Sequence, residues 1–385
     1  IVVGSGSKSS YVPDYTGAST QTGKVFVLDA RNTGAWTLNS TYWVFDTGVS
    51  NSFMGDPLAV DIDFKNGNTV SGDTTSYTSY NTEVIYIGMT YDIGGTPRWR
   101  GNLYRLVIDG NVNPGSWNFY KLFDGNPLSS ATPITTSPAA SVDELDNLWV
   151  YFGTGRFYSQ DDKSTTTKHA FFGIRDSYWS GAESKWKPCW DGSAWSTNTQ
   201  CTTSGIASTS SLYNGGDVTQ VVADEGTVTS TAWGSISWDT FVQNVSATST
   251  YRGWYAELAA GSTGVGAERV ITKPGVIGGT VFFTTFIPQS DICSYGGTSN
   301  LYSLYYKTGT AYKESTIGTT TSGSQTVVLK STSLGYGMAS SPAIHVGQEE
   351  GGTAKAFIQT STGEIKEITY QLKLIRSGVI SWKEV

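Results

Sequence analysis

Short apolar runs alternate with polar clusters rich in Gly, Asn, Asp and Ser along most of this chain. Val, Ile, Phe, Tyr and Trp dominate the runs, a composition typical of β-strands. The runs recur as triplets, in which an apolar run beside a proline is followed by an aromatic run and then by an aromatic-apolar run. Complete triplets occupy 56–109, 137–176, 273–309 and 341–368, and a partial triplet opens the chain.

This self-similarity indicates a repeat architecture. Three repeated strands with a variable outer strand form one blade of a β-propeller, and blades stack because none can bury its faces alone. A β-sandwich also has short, regularly spaced strands, but it does not explain why the same triplet recurs. The sequence therefore predicts an all-β fold, a single β-propeller domain over 1–385 with irregular blades.

The region 176–265 loses the triplet pattern and is rich in Ser, Thr, Gly and Trp. It is interpreted either as a divergent blade carrying a large decorated loop or as an insertion on the propeller face. Its apolar runs predict strands over 219–222 and 253–256. A helix is predicted over 238–245, where Ser237 is placed to cap the first turn.

Charge and hydropathy exclude several classes of partner. Only 15% of the residues are charged, the net charge is −7, and Lys and Arg form no run. Binding to nucleic acid or to an anionic membrane surface is therefore disfavoured, and no apolar stretch is long enough for a membrane span. With no initiator Met and no signal peptide, the chain is interpreted as a piece of a longer protein.

The three cysteines leave two interpretations open. Cys189 and Cys201 flank a polar loop, and a disulfide between them would restrict the unfolded chain by about 3 kcal/mol, which suits an oxidising compartment. The alternative is three unrelated reduced thiols. Cys293 is the odd residue, either free or paired with a cysteine outside this chain.

Several phrases resemble the C-terminal β-propeller domain of the PilC/PilY family, which comprises type IV pilus biogenesis factors and tip-associated adhesins. They occur in the same order as in the family and are spread over most of the chain. The phrases are Gly23–Ala30, Pro133–Ala139, Trp149–Phe157, Phe171–Ile174, Glu268–Pro274, Val281–Pro288 and Asp291–Tyr302.

This resemblance implies a non-enzymatic, exported protein at the pilus tip, the cell surface or the outer membrane, of which the chain is the C-terminal part. The implied partners are pilin or minor pilin subunits and a host or abiotic surface. The implied role is to modulate pilus extension against retraction, and with it surface attachment and twitching motility.

The resemblance also implies a calcium-binding loop between two blade strands, and the matching segment is 60–68. Asp61 and Asp63 occupy the first two ligand positions, but the third is Lys65, which cannot bind a cation. Calcium takes six to eight oxygen ligands, and Asn66 or Asn68 could substitute for the missing ligand if the turn carries an extra residue. The alternative is a polar turn with two solvated aspartates.

Two further functions stay open as alternatives. The segment 28–36 resembles the docking motif of quinoprotein propellers, which makes a quinoprotein-like dehydrogenase one alternative. The motif also occurs in propellers without activity, and a structural tie between blades is the favoured role of Asp29 and Trp36. A glycan-binding propeller using exposed tryptophans of the middle region is the other. His169 and His345 are interpreted as core or rim residues rather than as general bases.

Overall fold

The computed structural model describes residues 1–7, 20–62, 82–108, 111–126, 128–180, 185–186, 211–223, 226–246, 251–289, 296–346 and 353–371. Within these ranges the chain forms several sheets, almost wholly antiparallel, and one α-helix. The predicted all-β class is confirmed. No described sheet closes on itself, and no described helix is long and apolar enough to cross a bilayer.

The first two sheets are antiparallel meanders. Sheet I contains β1 (Val2–Gly4), β2 (Lys24–Leu28) and β3 (Tyr42–Asp46). Sheet II contains β4 (Ser52–Val60), β5 (Val84–Asp92), β6 (Trp99–Val107) and β7 (Asn118–Asp124). The β4–β5 register shifts between Met54 and Pro57, an interruption of the ladder that suits a proline, which has no N–H to donate.

Sheet III combines consecutive strands with strands from the divergent region. Its first three are β8 (Ala139–Val142), β9 (Leu148–Gly153) and β10 (Ala170–Arg175). A hairpin of β11 (Trp179–Ser180) and β12 (Lys185–Trp186) follows, and then β13 (Tyr213–Asn214), β14 (Val218–Val221), β15 (Thr227–Ser230), β16 (Gly234–Ser237), α1 (Trp238–Ser246) and β17 (Gly253–Glu257). Sheet III has the order β13-β17-β10-β9-β8, and β14–β16 form a sheet of their own.

The predictions for local structure in the divergent region are confirmed. Helix α1 begins at Trp238, and the Thr240 backbone N–H donates to Ser237 Oγ at 3.3 Å, which is the predicted cap. Strands β14 and β17 cover the two predicted strands within a residue.

Two more meanders complete the described chain. Sheet IV contains β18 (Gly275–Ile277), β19 (Thr280–Pro288) and β20 (Gly297–Tyr305); after the hairpin β21 (Thr319–Ser322) and β22 (Gln325–Val328), β23 (Ser331–Tyr336) completes it. Sheet V contains β24 (Ala343–Val346), β25 (Thr353–Gln359) and β26 (Ile365–Gln371). Each predicted triplet thus supplies the first three strands of one sheet.

The hydrophobic cores lie between successive sheets. Val25 of sheet I packs with Met54 and Met89 of sheet II. Sheet III is buried on both faces: Val150 and Phe152 pack toward sheet II, whereas Trp149 and Tyr151 pack toward sheet IV. Because successive side chains of a strand point to opposite faces, a strand buried on both faces reads as the continuous apolar run seen in the sequence.

The segment that leads into each of sheets III, IV and V is wedged between that sheet and the one before it. In segment 131–137, the Pro133 carbonyl accepts from the Gly155 N–H at 2.9 Å, and a side chain at Gly101 would collide with the Thr132 carbonyl at 2.2 Å. Segments 265–273 and 337–342 are placed in the same way, through bonds such as Val270 N–H to the Thr154 carbonyl. The recurrent proline therefore marks where the chain leaves the wedge and starts a new sheet.

A buried carboxylate links sheets II and III. Asp176, directly after β10, accepts from the Tyr86 hydroxyl at 2.7 Å and forms an ion pair with Arg105. The Asp176 and Arg105 side chains are fully buried, and the Arg105 guanidinium lies 3.5 Å from the centre of the Tyr178 ring. Burial and the negative charge of Asp176 raise the pKa of Tyr86 well above its usual value, so its hydroxyl remains a donor.

Candidate functional site

The predicted calcium loop is described only at its base. Asp61 directly follows β4, whereas Asp63, Asn66 and Asn68 lie outside the described residues. At the other end of the loop, Glu83 Oε2 accepts from the Ile62 N–H at 2.7 Å, and the Glu83 N–H donates to the Val60 carbonyl at 3.0 Å. Asp61 and Glu83 therefore lie at the two ends of the loop, where the chain leaves and rejoins sheet II.

Sequence reasoning missed Glu83 because it lies 22 positions after Asp61, beyond the expected motif. The signal that could have found it is the pairing of β4 with β5, which brings the two ends of any intervening loop together. Within the described ranges, no group of three or more His, Cys, Asp or Glu side chains is arranged to hold a metal ion. Cys189, Cys201 and Cys293 all lie outside those ranges.

The quinoprotein-like motif does not form the expected structural tie. The Trp36 side chain is 52% exposed, and Asp29 pairs with its near neighbour Arg31 at 3.0 Å. The prediction that these residues tie neighbouring blades is therefore wrong for the described part of the chain, where Trp36 is not packed between sheets.

A recess lies where the β5–β6 hairpin, the β9–β10 loop and segment 265–273 meet. We call it the arginine recess; its volume is about 140 Å³. Its buried side is formed by Trp99, Arg156, Asp162, His169 and Arg269, and its exposed side includes Arg98, Thr165 and Thr167. Of this set, sequence reasoning weighed only His169 as a catalytic group.

The buried side of the recess is organised around one carboxylate. Asp162 Oδ1 accepts from Arg156 Nη1 at 2.9 Å, and its Oδ2 accepts from the N–H groups of Tyr158 and Ser159, each at 2.8 Å. The Arg156 guanidinium also lies 3.7 Å from the centre of the Trp99 ring, a cation–π contact that burial strengthens. These contacts hold the β9–β10 loop in one conformation.

Arg269 is a second buried cation at the same place. It is 1% exposed, and it donates to the carbonyl oxygens of Ala267 and Arg156, each at 3.0 Å. Among the described residues its hydrogen-bond partners are carbonyl groups rather than carboxylates. Burial lowers its pKa to about 10, an effect that Asp162 opposes and Arg156 reinforces, so the guanidinium is still charged at neutral pH.

His169 is a neutral, buried side chain of the same recess. It is 3% exposed, and burial together with the neighbouring charge of Arg269 lowers its pKa to about 3. Its Nδ1 atom is buried and has no hydrogen-bond partner in the described part of the chain. The interpretation of His169 as a core or rim residue is confirmed.

The exposed side carries a charge pair at the rim. Arg98 donates to Asp92 Oδ2 from Nε at 2.9 Å and from Nη2 at 2.8 Å. Burial disfavours the charged form of Asp92, but hydrogen bonds from Arg98 and from the Gly94 N–H outweigh that effect and lower its pKa. The Arg98 side chain remains 42% exposed, so it can reach a ligand that enters from solvent.

Comparison with known proteins found no matching family model. Two curated proteins of Xylella fastidiosa (strain Temecula1 / ATCC 700964) are similar to the chain, and each is described as a "Type IV pilus biogenesis factor PilY1 homolog". One is 25% identical over 266 residues, 68% of this chain, and the other is 24% identical over 222 residues, 55% of this chain.

The chain corresponds to a small part of these relatives, because the matches cover 18% and 13% of their lengths. Neither relative's name describes an enzyme. The resemblance to the PilC/PilY family that the sequence indicates is confirmed, and the chain is similar to part of PilY1-type pilus biogenesis factors.

Proposed function

We propose that this chain is a β-propeller region of a type IV pilus biogenesis factor. In this proposal it is exported, works at the pilus tip or cell surface, and docks on pilin or minor pilin subunits without catalysing a reaction. The observation that carries the proposal is the similarity to two PilY1 homologs, over as much as 68% of the chain. The stacking of sheets I to V in chain order supports the propeller part.

The docked protein would favour pilus extension over retraction and contribute to attachment on host or abiotic surfaces. The experiment is a count of surface pili in strains that lack this protein, with and without the retraction motor. Loss of pili that is reversed when the motor is also removed is the expected result. Unchanged pili in both strains would contradict a role in pilus biogenesis, and pili lost in both would contradict the opposition to retraction.

We further propose that calcium binds at the loop between β4 and β5. Asp61, Asp63, Asn66 and Asn68 would supply oxygen ligands, and Glu83 supports this by adding a carboxylate at the loop base. Oxygen ligands from carboxylates and amides are those that calcium prefers.

Calorimetric titration of EDTA-treated protein with calcium tests this site. Saturable heat that disappears in Asp61→Ala and weakens in Glu83→Gln is expected. Asp29→Asn is the matched control, since Asp29 is also an acidic residue beside a strand end but lies on sheet I. An absence of heat, or heat that survives Asp61→Ala, would contradict calcium binding at this loop.

A further inference from the structure

We propose that the open edge of β3 binds an extended, mainly apolar segment of another protein as an added antiparallel strand. This inference goes beyond the pilus proposal and does not depend on it. It concerns the edge of sheet I rather than the stacking of its faces, and it follows from the strand pattern of the neighbouring sheets, the free backbone groups of β3 and the side chains around them.

The position beside β3 is the one that a further strand fills in three other sheets. Strand β7 pairs with β6 in sheet II, β17 with β10 in sheet III and β23 with β20 in sheet IV, and each is antiparallel to its partner. In sheet I the strand order ends at β3. Only residues 47–51 connect β3 to β4, and this connection is too short to turn back and pair with β3.

The backbone of β3 has polar groups available for pairing. The Thr47 N–H donates to the Gly23 carbonyl at 3.0 Å, and the register between β2 and β3 has no shift. Because hydrogen-bonded and non-hydrogen-bonded pairs alternate in an antiparallel ladder, the peptide groups of Val44 and Asp46 point away from β2. In the described part of the chain no other strand or loop binds them, and β3 is at least partly exposed at every position.

Strand β3 lacks the features that normally protect an edge. Proline, lysine or a bulge on an edge strand discourages pairing with another chain. The β3 sequence, Tyr-Trp-Val-Phe-Asp, contains no proline or lysine, and its ladder with β2 has no bulge. An unprotected edge of this kind is the surface that binds peptides by strand addition.

The side chains around the edge define the chemistry of the added strand. On the face toward sheet II, Trp43 and Phe45 are partly exposed, and the Phe45 ring lies 5.8 Å from the ring of Phe119. On the other face, Val44 is opposite Phe26 in the register and is also partly exposed. An added strand has apolar neighbours on both faces, so aromatic and β-branched side chains suit it best.

Asp46 adds a preference for a basic residue in the added strand. Its side chain is 44% exposed, and its ion pair with Lys24 is 3.6 Å long. A lysine or arginine opposite Asp46 would be favourable. Two copies of this chain that paired through their free groups would instead bring their Asp46 side chains to neighbouring positions, where like charges repel. The occupant is therefore a segment of a different protein rather than a second copy.

The experiment is fluorescence anisotropy of the whole chain with a labelled peptide that has the sequence of β7, Asn-Phe-Tyr-Lys-Leu-Phe-Asp. This strand fills the equivalent position in sheet II and combines aromatic residues with a lysine. Saturable binding is expected. Prolines in place of the leucine and the second phenylalanine should weaken it about tenfold, because proline cannot donate a backbone hydrogen bond. Glutamate in place of the lysine should weaken it about fivefold.

Failure of the β7 peptide to bind would overturn the proposal. Equal binding of the proline peptide would overturn pairing through the backbone, and equal binding of the glutamate peptide would overturn the preference for a basic residue. Dimers of the parent chain in sedimentation velocity that the β7 peptide dissociates would identify a second copy as the occupant and overturn the choice of another protein.

Variants of β3 locate the binding edge. Val44→Pro removes an N–H group that β2 does not use, so the β2–β3 ladder is retained and peptide binding is expected to fall about tenfold. Val44→Lys keeps that N–H group but adds an edge lysine, and it should also weaken binding. Val2→Pro is the matched control, because Val2 lies on β1 at the opposite edge of sheet I. Circular dichroism checks that each variant is folded, and binding that persists in both Val44 variants would place the peptide elsewhere and overturn the proposal.

Discussion

At the residue scale, we expect Asp176 to make the largest single contribution to the free energy of unfolding. Its carboxylate is fully buried and joins Arg105 and Tyr86 of sheet II. The variant Asp176→Asn leaves the Arg105 charge buried without a counter-charge, so we expect the free energy of unfolding to fall by about 3–5 kcal/mol. Urea denaturation at neutral pH measures this loss.

The control for Asp176 is an ion pair on the surface. Lys168 and Glu257 lie 2.8 Å apart with both side chains at least 40% exposed, and Glu257→Gln should change the free energy of unfolding by less than about 1 kcal/mol. Equal effects of the two substitutions would show that water screens the Asp176 pair as well.

His169 makes stability depend on pH. Its pKa is about 3 in the folded chain and near 6.5 when unfolded, so below about pH 6.5 the unfolded state takes up a proton that the folded state does not. The resulting loss in the free energy of unfolding is absent above that pH and grows as the pH falls toward 3. Between pH 7 and pH 5 we expect it to reach about 2 kcal/mol.

The measurement is urea denaturation of the parent chain and of His169→Gln at pH 7 and pH 5. Groups other than His169 contribute equally to both proteins and cancel in the difference. A variant that loses as much stability as the parent would contradict the assignment of this penalty to His169.

At the element scale, the wedged segments require glycine on the sheets beside them. A side chain at Gly101 would lie 2.2 Å from the Thr132 carbonyl and 2.6 Å from that of Met89, and backbone atoms cannot move aside cheaply. We expect Gly101→Ala to lower the free energy of unfolding by about 1–3 kcal/mol or more. Gly34→Ala is the control, because the nearest atom to its added carbon is 3.8 Å away, and it should change the free energy of unfolding little. Thermal denaturation of both variants measures the difference.

Strands that are buried on both faces are the easiest to recognise in the sequence. Leu148–Gly153 and Ala170–Arg175 are buried at every position, so their apolar runs stand out. The hairpin of β21 and β22 was missed because Thr319–Ser322 is exposed throughout; it forms through backbone pairing around Gly323, whose φ of 62° suits a tight turn.

The arginine recess could not be predicted for a different reason. Its buried side joins Trp99, the 156–169 loop and Arg269, which lie far apart in the chain and form no motif. Only the packing of the wedge between sheets III and IV brings Arg269 to Arg156, through the carbonyl bond at 3.0 Å. The calcium ligands show the converse case, since the sequence suggests them but all except Asp61 fall outside the described residues.

At the scale of the whole molecule, the order of the sheets limits how they can be arranged. Core clusters join sheet I to II, II to III, III to IV and IV to V, so each sheet packs on its neighbours in the chain. Such a stack either closes into a ring, as in a propeller, or continues as an open solenoid. The two arrangements differ in how far sheet V lies from sheet I.

Spin-label distances distinguish a ring from an open stack. Exposed positions on equivalent hairpins are Ser40 of sheet I, Gly95 of sheet II and Thr362 of sheet V. With each pair replaced by cysteine and labelled, a ring completed by this chain predicts that the Ser40–Thr362 distance is similar to the Ser40–Gly95 distance between adjacent sheets. The parent chain, labelled in parallel, corrects for the native cysteines. A Ser40–Thr362 distance several times longer would contradict a ring closed by these five sheets, because an open stack separates its first and last members by every sheet between them.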